Sequence, residues 1–152
     1  MRKKLAVNDR IFVDMDGVLA DMDPAFRAAR KQFPYIRHPQ SIPGIFLNLE
    51  PVVGAIDAVN SLRNSFDTWV LSAPSVRNPN SYVEKRLWIE KHFDYEFAKR
   101  LILCTDKSLV IGDYLIDDWV FGKGQDEFTG SFIHFGSKEY PDWASILSYF
   151  KL

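Results

Sequence analysis

Two pairs of acidic residues carry the clearest chemical signal in this sequence. Asp14 and Asp16 directly follow one short apolar run, and Asp117 and Asp118 directly follow another. Unit charges about 4 Å apart repel by roughly 4 kcal/mol at an effective dielectric constant of 20, so four converging carboxylates need a cation or extra protons. A site of few oxygen ligands, completed by water and phosphate, favours Mg²⁺. Solvated N-cap acids are the alternative, but a lone Asp-x-Asp suits that interpretation better than two matched pairs.

The first acidic pair has the chemistry of a phosphate-ester hydrolase. A carboxylate can attack phosphorus and form an aspartyl-phosphate, which splits hydrolysis into two easier steps. A second carboxyl group can protonate the leaving oxygen and then deprotonate the attacking water. Asp14, nearer the apolar run, is predicted to be the nucleophile, and Asp16 the acid/base. Gly17 then lets the backbone come close to a phosphate.

A transferred phosphoryl group also needs hydrogen-bond donors and positive charge. Ser72 can donate its hydroxyl hydrogen, and the backbone N–H of Ala73 can add a second donor. Two lysines, Lys85 and Lys107, compete for the positive charge. Either one alone would also suit a solvated surface position.

The elements that must position these residues alternate between strands and helices. Apolar runs bounded by polar residues predict strands at residues 11–13, 68–71, 101–103, 114–116 and 132–135. Helix signals separate them: Asp23 as an N-cap before Pro24, Pro51 at a helix start, a capping box of Ser81 and Glu84, and Pro141 before the last helix. This alternation predicts an α/β fold with a doubly wound parallel sheet, in which ligands sit beyond the carboxyl ends of the strands.

One segment does not follow the alternation. Residues 34–50 contain three prolines and one glycine and show no sustained period. We interpret them as a reduced cap or lid inserted after the first strand. The remainder of residues 1–152 is predicted to form a single hydrolase domain, a length that suits one core.

Composition excludes several classes of protein. The net charge is −1 and Lys and Arg are spread along the chain, which argues against a nucleic-acid polymer or a membrane surface as the partner. Cys104 is the single cysteine, which suits a reducing compartment. No stretch approaches the roughly 18 apolar residues of a membrane span. We therefore expect a soluble cytoplasmic protein.

With these residues assembled, the chain resembles the haloacid dehalogenase-like superfamily of phosphotransferases. The four signatures of that superfamily match in order: the Asp-Met-Asp-Gly-Val stretch from Asp14, then Ser72, a lysine, and the Asp117-Asp118 pair. A narrower likeness to the 5'(3')-deoxyribonucleotidases rests on residues 14–21, 49–54, 82–93, 105–107 and 113–118.

The resemblance implies roles that the spacing alone does not show. It places Lys85 at the phosphate, and Lys107 near the substrate or the acidic cluster. It assigns Mg²⁺ to Asp14, to the main-chain carbonyl of Asp16, and to one or both of Asp117 and Asp118. The implied substrate is a small phosphate ester, a (deoxy)nucleoside monophosphate.

Three departures separate this sequence from the vertebrate-type enzymes of that family. The lid is shorter, and residues 34–44 show no counterpart of the aromatic residues that stack on the nucleobase. Met22 stands where those enzymes have phenylalanine. Ser72-Ala73 replaces a Thr-Ser pair, and Thr105 replaces an arginine. The phosphoryl-transfer half is therefore well matched, whereas the nucleoside-recognition half is not.

Alternative functions remain open at this point. The same chemistry could serve another small phosphate, such as a sugar or cofactor phosphate. A receiver-type phospho-acceptor domain also uses acidic pairs, a hydroxyl and a lysine. In receivers an acidic pair ends the first strand and the acceptor Asp lies on a later strand. Here the Asp-x-Asp comes first and the Asp-Asp pair comes late, which disfavours a receiver. An inactive scaffold is a further alternative. The oligomeric state and the choice between 5' and 3' phosphates are left undetermined.

Overall fold

A five-stranded parallel sheet forms the centre of the protein in the computed structural model, which describes residues 5–6 and 8–152. Within these residues the strands are β1 (Arg10–Val13), β2 (Ala20–Asp21), β3 (Glu50–Pro51), β4 (Asp67–Ser72), β5 (Leu101–Leu103), β6 (Tyr114–Asp117) and β7 (Ser131–His134). The main sheet has the order β5-β4-β1-β6-β7, and all of its pairings are parallel. All five strands predicted from the sequence are present, so the predicted parallel α/β fold is confirmed.

The central position of β1 decides where the chemistry is placed. Phe12 of β1 lies opposite Trp69 of β4 on one side and Leu115 of β6 on the other. The carboxyl ends of these three strands therefore lie next to one another at one edge of the sheet. Residues that follow the three strands are brought together there, although they are far apart in the sequence.

Five α-helices accompany the strands in the described part of the chain. They are α1 (Asp23–Gln32), α2 (Ala55–Ser65), α3 (Asn80–His92), α4 (Tyr95–Ala98) and α5 (Trp143–Phe150). Successive side chains of a strand point to opposite faces of the sheet, so each face has its own hydrophobic core. Ile11 and Val13 belong to the larger core, which contains the buried apolar residues of α2 to α5. Phe12 points to the opposite face and packs in a smaller core with Leu71, Leu115 and Phe128.

A two-stranded antiparallel ribbon, not anticipated from the sequence, ties the two ends of the lid region together. Ala20 of β2 pairs with Pro51 of β3, and Asp21 pairs with Glu50. Between these strands lie α1 and the segment 34–50, where a 3-10 turn covers Pro39–Ser41. The lid role of this segment, and the single-domain boundary of residues 1–152, stay predictions.

Two predicted helix starts are wrong. Pro51 does not open a helix, because it is paired in β3; α2 begins at Ala55, after Gly54 has turned the chain with a φ of 79°. Asp23 is not an N-cap but the first helical residue, preceded by Met22. The carboxylate that accepts from the Asp23 N–H belongs to Asp21, at 3.1 Å. Long-range pairing of the ribbon overrides the local signal at Pro51, whereas Pro24 does lie in the first turn of α1.

The predicted capping box at the start of α3 is also wrong. The helix begins at Asn80, so Ser81 already lies inside its first turn. The Ser81 hydroxyl donates to the carbonyl of Ser75 at 3.1 Å. The Glu84 carboxylate accepts from the backbone N–H groups of Gly44 at 2.6 Å and Phe46 at 3.1 Å. Ser81 is therefore used in a local contact with the preceding loop and Glu84 in tertiary contacts with residues 44–46, and neither side chain caps the helix.

Among the described residues, none of the helices has both the length and the apolar character needed to cross a membrane. The cytoplasmic location stays a prediction.

Candidate active site

All eight predicted site residues lie at the edge formed by the carboxyl ends of β1, β4 and β6. Asp14 and Asp16 follow β1, Ser72 ends β4 and precedes Ala73, and Asp117 ends β6 and precedes Asp118. Lys85 comes from α3, and Lys107 begins the 3-10 turn Lys107–Leu109. The structure therefore brings together residues from both halves of the chain.

Lys107 connects the two acidic pairs. Its Nζ lies 2.6 Å from Asp14 Oδ1 and 2.5 Å from Asp117 Oδ2, and all three side chains are buried. Burial alone would lower the pKa of Lys107, but the charges of Asp14 and Asp117 outweigh it and raise that pKa. The lysine therefore stays charged and holds the Asp14 carboxylate in place.

Lys85 organises the second half of the site. Its Nζ lies 2.6 Å from both carboxylate oxygens of Asp16 and 3.0 Å from the Ser72 hydroxyl oxygen. The lysine is fully buried, and its Nζ also lies 4.7 Å from the centre of the Phe46 ring. Asp16 is thus held by a cation that touches the predicted phosphate-binding hydroxyl.

Three carboxylates form a candidate cation site. Asp14, Asp117 and Asp118 each offer an oxygen, and these oxygens lie within 4.8 Å of one another. Within the described residues, Asp118 Oδ1 is buried and has no hydrogen-bond partner. Burial, with the charges of Asp14 and Asp117, raises the pKa of Asp118 to about 7. An all-oxygen set with an unpaired buried oxygen fits a hard divalent cation such as Mg²⁺.

The cation site is shaped by Gly17. The residue has a φ of 82°, which disfavours other side chains, and a Cβ at this position would overlap the Asp118 carboxylate. On the other side, the His134 ring lies 3.1 Å from the main-chain oxygen of Asp118. The Asp-x-Asp-Gly pattern therefore has a steric reason as well as a chemical one.

A cavity of about 930 Å³ opens onto this site. Acidic residues, Ala73 and Lys107 line it together with three groups of other side chains. These groups are Met22, Phe26 and Arg30 at α1; Ser75, Val76 and Arg77 after β4; and Trp119, Phe121 and Lys123 after β6. The lid segment contributes Gln40 and Phe46. The space is large enough for a small phosphate ester.

Comparison with known proteins places the chain in one family. The family model described as 5' nucleotidase, deoxy (pyrimidine), cytosolic type C protein matches residues 32–140. A protein of Vibrio phage KVP40, whose name assigns it to the 5'(3')-deoxyribonucleotidases, is 40% identical over 141 residues, covering 91% of this chain and 82% of that protein. The human 5'(3')-deoxyribonucleotidase of cytosolic type is 34% identical over 161 residues, covering 86% and 80%. The chain belongs to the 5'(3')-deoxyribonucleotidase family.

Membership of this family makes the chain a phosphoric monoester hydrolase, which decides against the receiver and scaffold alternatives. A haloacid dehalogenase-like family hydrolase from Xanthomonas campestris has a TM-score of 0.67 to this structure, at 10% identity and with 95% of each chain covered. At that identity the likeness supports the fold alone. The narrower resemblance, to the 5'(3')-deoxyribonucleotidases, is therefore confirmed by the family model and the relatives, and the expected fold is confirmed by the structure.

Several residues at the cavity, and Glu84 behind the lid segment, were not predicted from the sequence to have these positions. Glu84 was assigned to a helix cap, whereas it binds the lid backbone. Trp119 and Phe121 were not singled out, although two large aromatic residues directly after predicted metal ligands were a usable signal. Arg30 and Arg77 are exposed cations whose place at the cavity no local pattern indicates.

Proposed function

We propose that this member of the deoxyribonucleotidase family is a Mg²⁺-dependent phosphomonoesterase that acts through an aspartyl-phosphate. The observation that carries the proposal is the position of Asp14. Its carboxylate is buried, is bound to Lys107 Nζ at 2.6 Å, and has oxygens of Asp117 and Asp118 beside it. A carboxylate paired with a buried ammonium group after a strand, next to a cation site and an open cavity, suits nucleophilic attack on phosphorus.

Each acidic residue has a distinct role in this proposal. Asp14, Asp117 and Asp118 hold Mg²⁺, with the Asp16 carbonyl as an additional ligand. The ion, when bound, neutralises charge on the phosphoryl oxygens. An Asp14 carboxylate oxygen attacks phosphorus and forms a new O–P bond. At the same time the bond between phosphorus and the ester oxygen breaks. Lys107 restrains the attacking group at its other oxygen.

Asp16 is the proposed acid and base. In the first step it gives a proton to the leaving ester oxygen, and in the second it takes a proton from the water that hydrolyses the aspartyl-phosphate. In the structure its carboxylate is held by Lys85 at 2.6 Å. We infer that a bound phosphate attracts Lys85 away from Asp16, which lets Asp16 carry the proton that its first step requires.

The phosphate itself is bound by donors at the end of β4. Ser72 already lies within hydrogen-bond distance of Lys85 Nζ, at 3.0 Å. The backbone N–H of Ala73 is proposed as a second donor and Lys85 as the cation. Lys107 supports the same phosphate from the Asp14 side. Residues 34–50 act as a short lid within one domain.

The substrate proposed is a (deoxy)nucleoside monophosphate, in line with the names of the relatives. A second candidate, a sugar or cofactor phosphate, is favoured by one observation: within the described residues, Gln40 and Phe46 are the lid side chains that reach the cavity. Comparison of kcat/KM over a panel of nucleotides and sugar phosphates separates the two. Equal values across the panel would argue against a dedicated nucleotidase.

The test of the mechanism is Asp14→Asn. We expect phosphate release from nucleoside monophosphates to fall by about 10³-fold or more, because the variant lacks the nucleophile. Chelation of Mg²⁺ should abolish release by the unmodified protein. Asp57→Asn, at an exposed position of α2, serves as the matched control and should keep full activity. Activity that survives in Asp14→Asn would remove Asp14 from its assigned role.

A further inference from the structure

The loop that follows β6 exposes two aromatic side chains at the mouth of the cavity. In this loop, residues 119–123, Trp119 is 63% exposed and Phe121 is 62% exposed. Both nevertheless line the cavity that contains Asp14 and Asp118. Large aromatic side chains are mostly buried in folded proteins, and exposed apolar groups that are contiguous with a pocket commonly mark a binding surface.

Neither side chain has a packing role in the described structure. Trp119 and Phe121 belong to neither hydrophobic core, and neither makes a ring contact or a cation–π contact within the described residues. By contrast, Tyr95, which is exposed to a similar extent, has Lys99 Nζ 5.0 Å from its ring centre. The two loop aromatics are therefore available to a ligand.

The loop is held in place at both ends, so its side chains are presented in a defined way. The backbone N–H of Trp119 donates to Asp117 Oδ1 at 2.9 Å. At the other end, the N–H of Lys107 donates to the Lys123 carbonyl at 2.7 Å, and the N–H of Lys123 donates to the buried Gln125 side chain at 2.8 Å. These bonds tie the loop to the metal ligands and to the catalytic-site lysine.

Gly124 makes this anchoring possible. It has a φ of 77°, and a Cβ there would overlap the Asp106 carboxylate and come within 2.8 Å of the Ser108 nitrogen. Only glycine allows the loop to approach the turn of Lys107 so closely. A preorganised loop loses little conformational freedom when a ligand binds to it.

The lid cannot supply the same surface. Of its two cavity side chains, Phe46 is 1% exposed and one of its ring faces is covered by Lys85. Gln40 has no aromatic face. A planar group in this cavity would therefore meet exposed aromatic side chains on the loop after β6 rather than on residues 34–50.

We propose that Trp119 and Phe121 form the stacking surface for the nucleobase of the substrate while its phosphate lies at Asp14. Trp119 follows the candidate metal ligand Asp118 directly, and consecutive Cα atoms are about 3.8 Å apart, so the surface begins beside the reaction centre. Base–aromatic stacking accepts any base, because every base has a π face. Specificity for nucleotides over sugar phosphates then comes from the sheet domain and not from the lid. This inference rests on the proposed function.

The experiment compares Trp119→Ala with the unmodified protein on two substrates, a deoxynucleoside 5'-monophosphate and deoxyribose 5-phosphate. The two share the phosphate and the sugar and differ in the base. We expect the ratio of their kcat/KM values to fall by about 5- to 100-fold, mainly through KM for the nucleotide. Trp119→Phe should restore most of the ratio, because it keeps an aromatic face. Tyr95→Ala, the matched exposed aromatic outside the cavity, should leave the ratio unchanged.

A second measurement does not depend on turnover. Binding of the nucleotide to Asp14→Asn should quench tryptophan fluorescence, and the quenching should be reduced in Asp14→Asn combined with Trp119→Phe. An unchanged substrate ratio together with unchanged quenching would overturn the inference. If Trp119→Ala instead changes the sedimentation coefficient and not the ratio, the loop is a contact between copies and the inference is wrong. Absence of phosphate release from either substrate by the unmodified protein would contradict the proposed function itself.

Discussion

At the residue scale, Lys107 shows how a buried cation can support an acidic site. Its ammonium group lies between two buried carboxylates, Asp14 directly after β1 and Asp117 at the end of β6, and Asp14 is 93 residues away in the sequence. A charge buried in this way is tolerated because it is paired and hydrogen-bonded on both sides. Removal of the ammonium would leave Asp14 and Asp117 buried without their partner.

We therefore predict that Lys107→Met lowers the free energy of unfolding by about 3–5 kcal/mol, because it uncouples a buried ion pair. Urea denaturation measures the change. Added Mg²⁺ should recover part of the loss, since a divalent ion can take over the neutralisation of the same carboxylates. Phosphatase activity should stay low even in the stabilised variant.

The control for this prediction is Lys99→Met. Lys99 pairs with Glu96 on an exposed surface, where water screens the charges, so its loss should change the free energy of unfolding very little. If both lysine variants had the same small effect, the pairing of Lys107 would have no structural importance.

At the element scale, α3 links the predicted lid, residues 34–50, to the proposed acid/base residue Asp16. Glu84 accepts from the N–H groups of Gly44 and Phe46, while its neighbour Lys85 pairs with Asp16. One turn of helix therefore contacts both the backbone of residues 44–46 and the Asp16 carboxylate. The Glu84 side chain is buried, so its two hydrogen bonds are shielded from water.

We predict that Glu84→Gln loosens the lid. An amide can accept one of the two hydrogen bonds, but its NH₂ group would face the other N–H donor, which costs about 1–3 kcal/mol. Hydrogen exchange of the Gly44 and Phe46 amides should become faster, and urea denaturation should show the loss of stability. KM should rise more than kcat falls.

Glu90→Gln is the matched control, because Glu90 lies on the same helix in an exposed pair with Arg86. It should leave both amide exchange rates unchanged. Equal protection of Gly44 and Phe46 in Glu84→Gln and in the unmodified protein would show that the lid is held by other contacts.

At the scale of the whole molecule, the parallel sheet concentrates negative charge at one edge. Four carboxylates meet two lysines there, and burial together with the neighbouring carboxylates raises the pKa of both Asp117 and Asp118. The carboxylates therefore repel one another at the same edge where the substrate site is proposed. A bound cation should relieve this repulsion and stabilise the entire domain.

We predict that Mg²⁺ raises the melting temperature. At about 100-fold excess over Kd, a ligand specific for the folded state contributes about 2.7 kcal/mol, which corresponds to roughly 5–10 °C for a chain of this size. Differential scanning calorimetry with Mg²⁺ and with NaCl of matched ionic strength measures the shift. The shift should shrink in Asp118→Asn, and a Tm that does not respond to Mg²⁺ would contradict the cation site.

The sequence by itself determined the chemistry and the order of the elements. Apolar runs followed by Asp14 and by Asp117 identified two strand ends of a parallel sheet, because buried parallel strands are short and apolar and their loops carry the polar residues. These local patterns also sufficed for the family, which the comparisons confirm. Where a local signal competed with long-range contacts, as at Pro51 and Glu84, the prediction from the sequence was wrong.

Only the tertiary structure decided which residues meet. The pairing of Lys85 with Asp16 and of Lys107 with Asp14 depends on the strand order, with β1 between β4 and β6. The binding of the lid by Glu84 and the exposure of Trp119 depend on how distant segments pack. The sequence shows what chemistry each side chain can perform. The distances between these side chains depend on the sheet, because strands that are far apart in the chain become neighbours there.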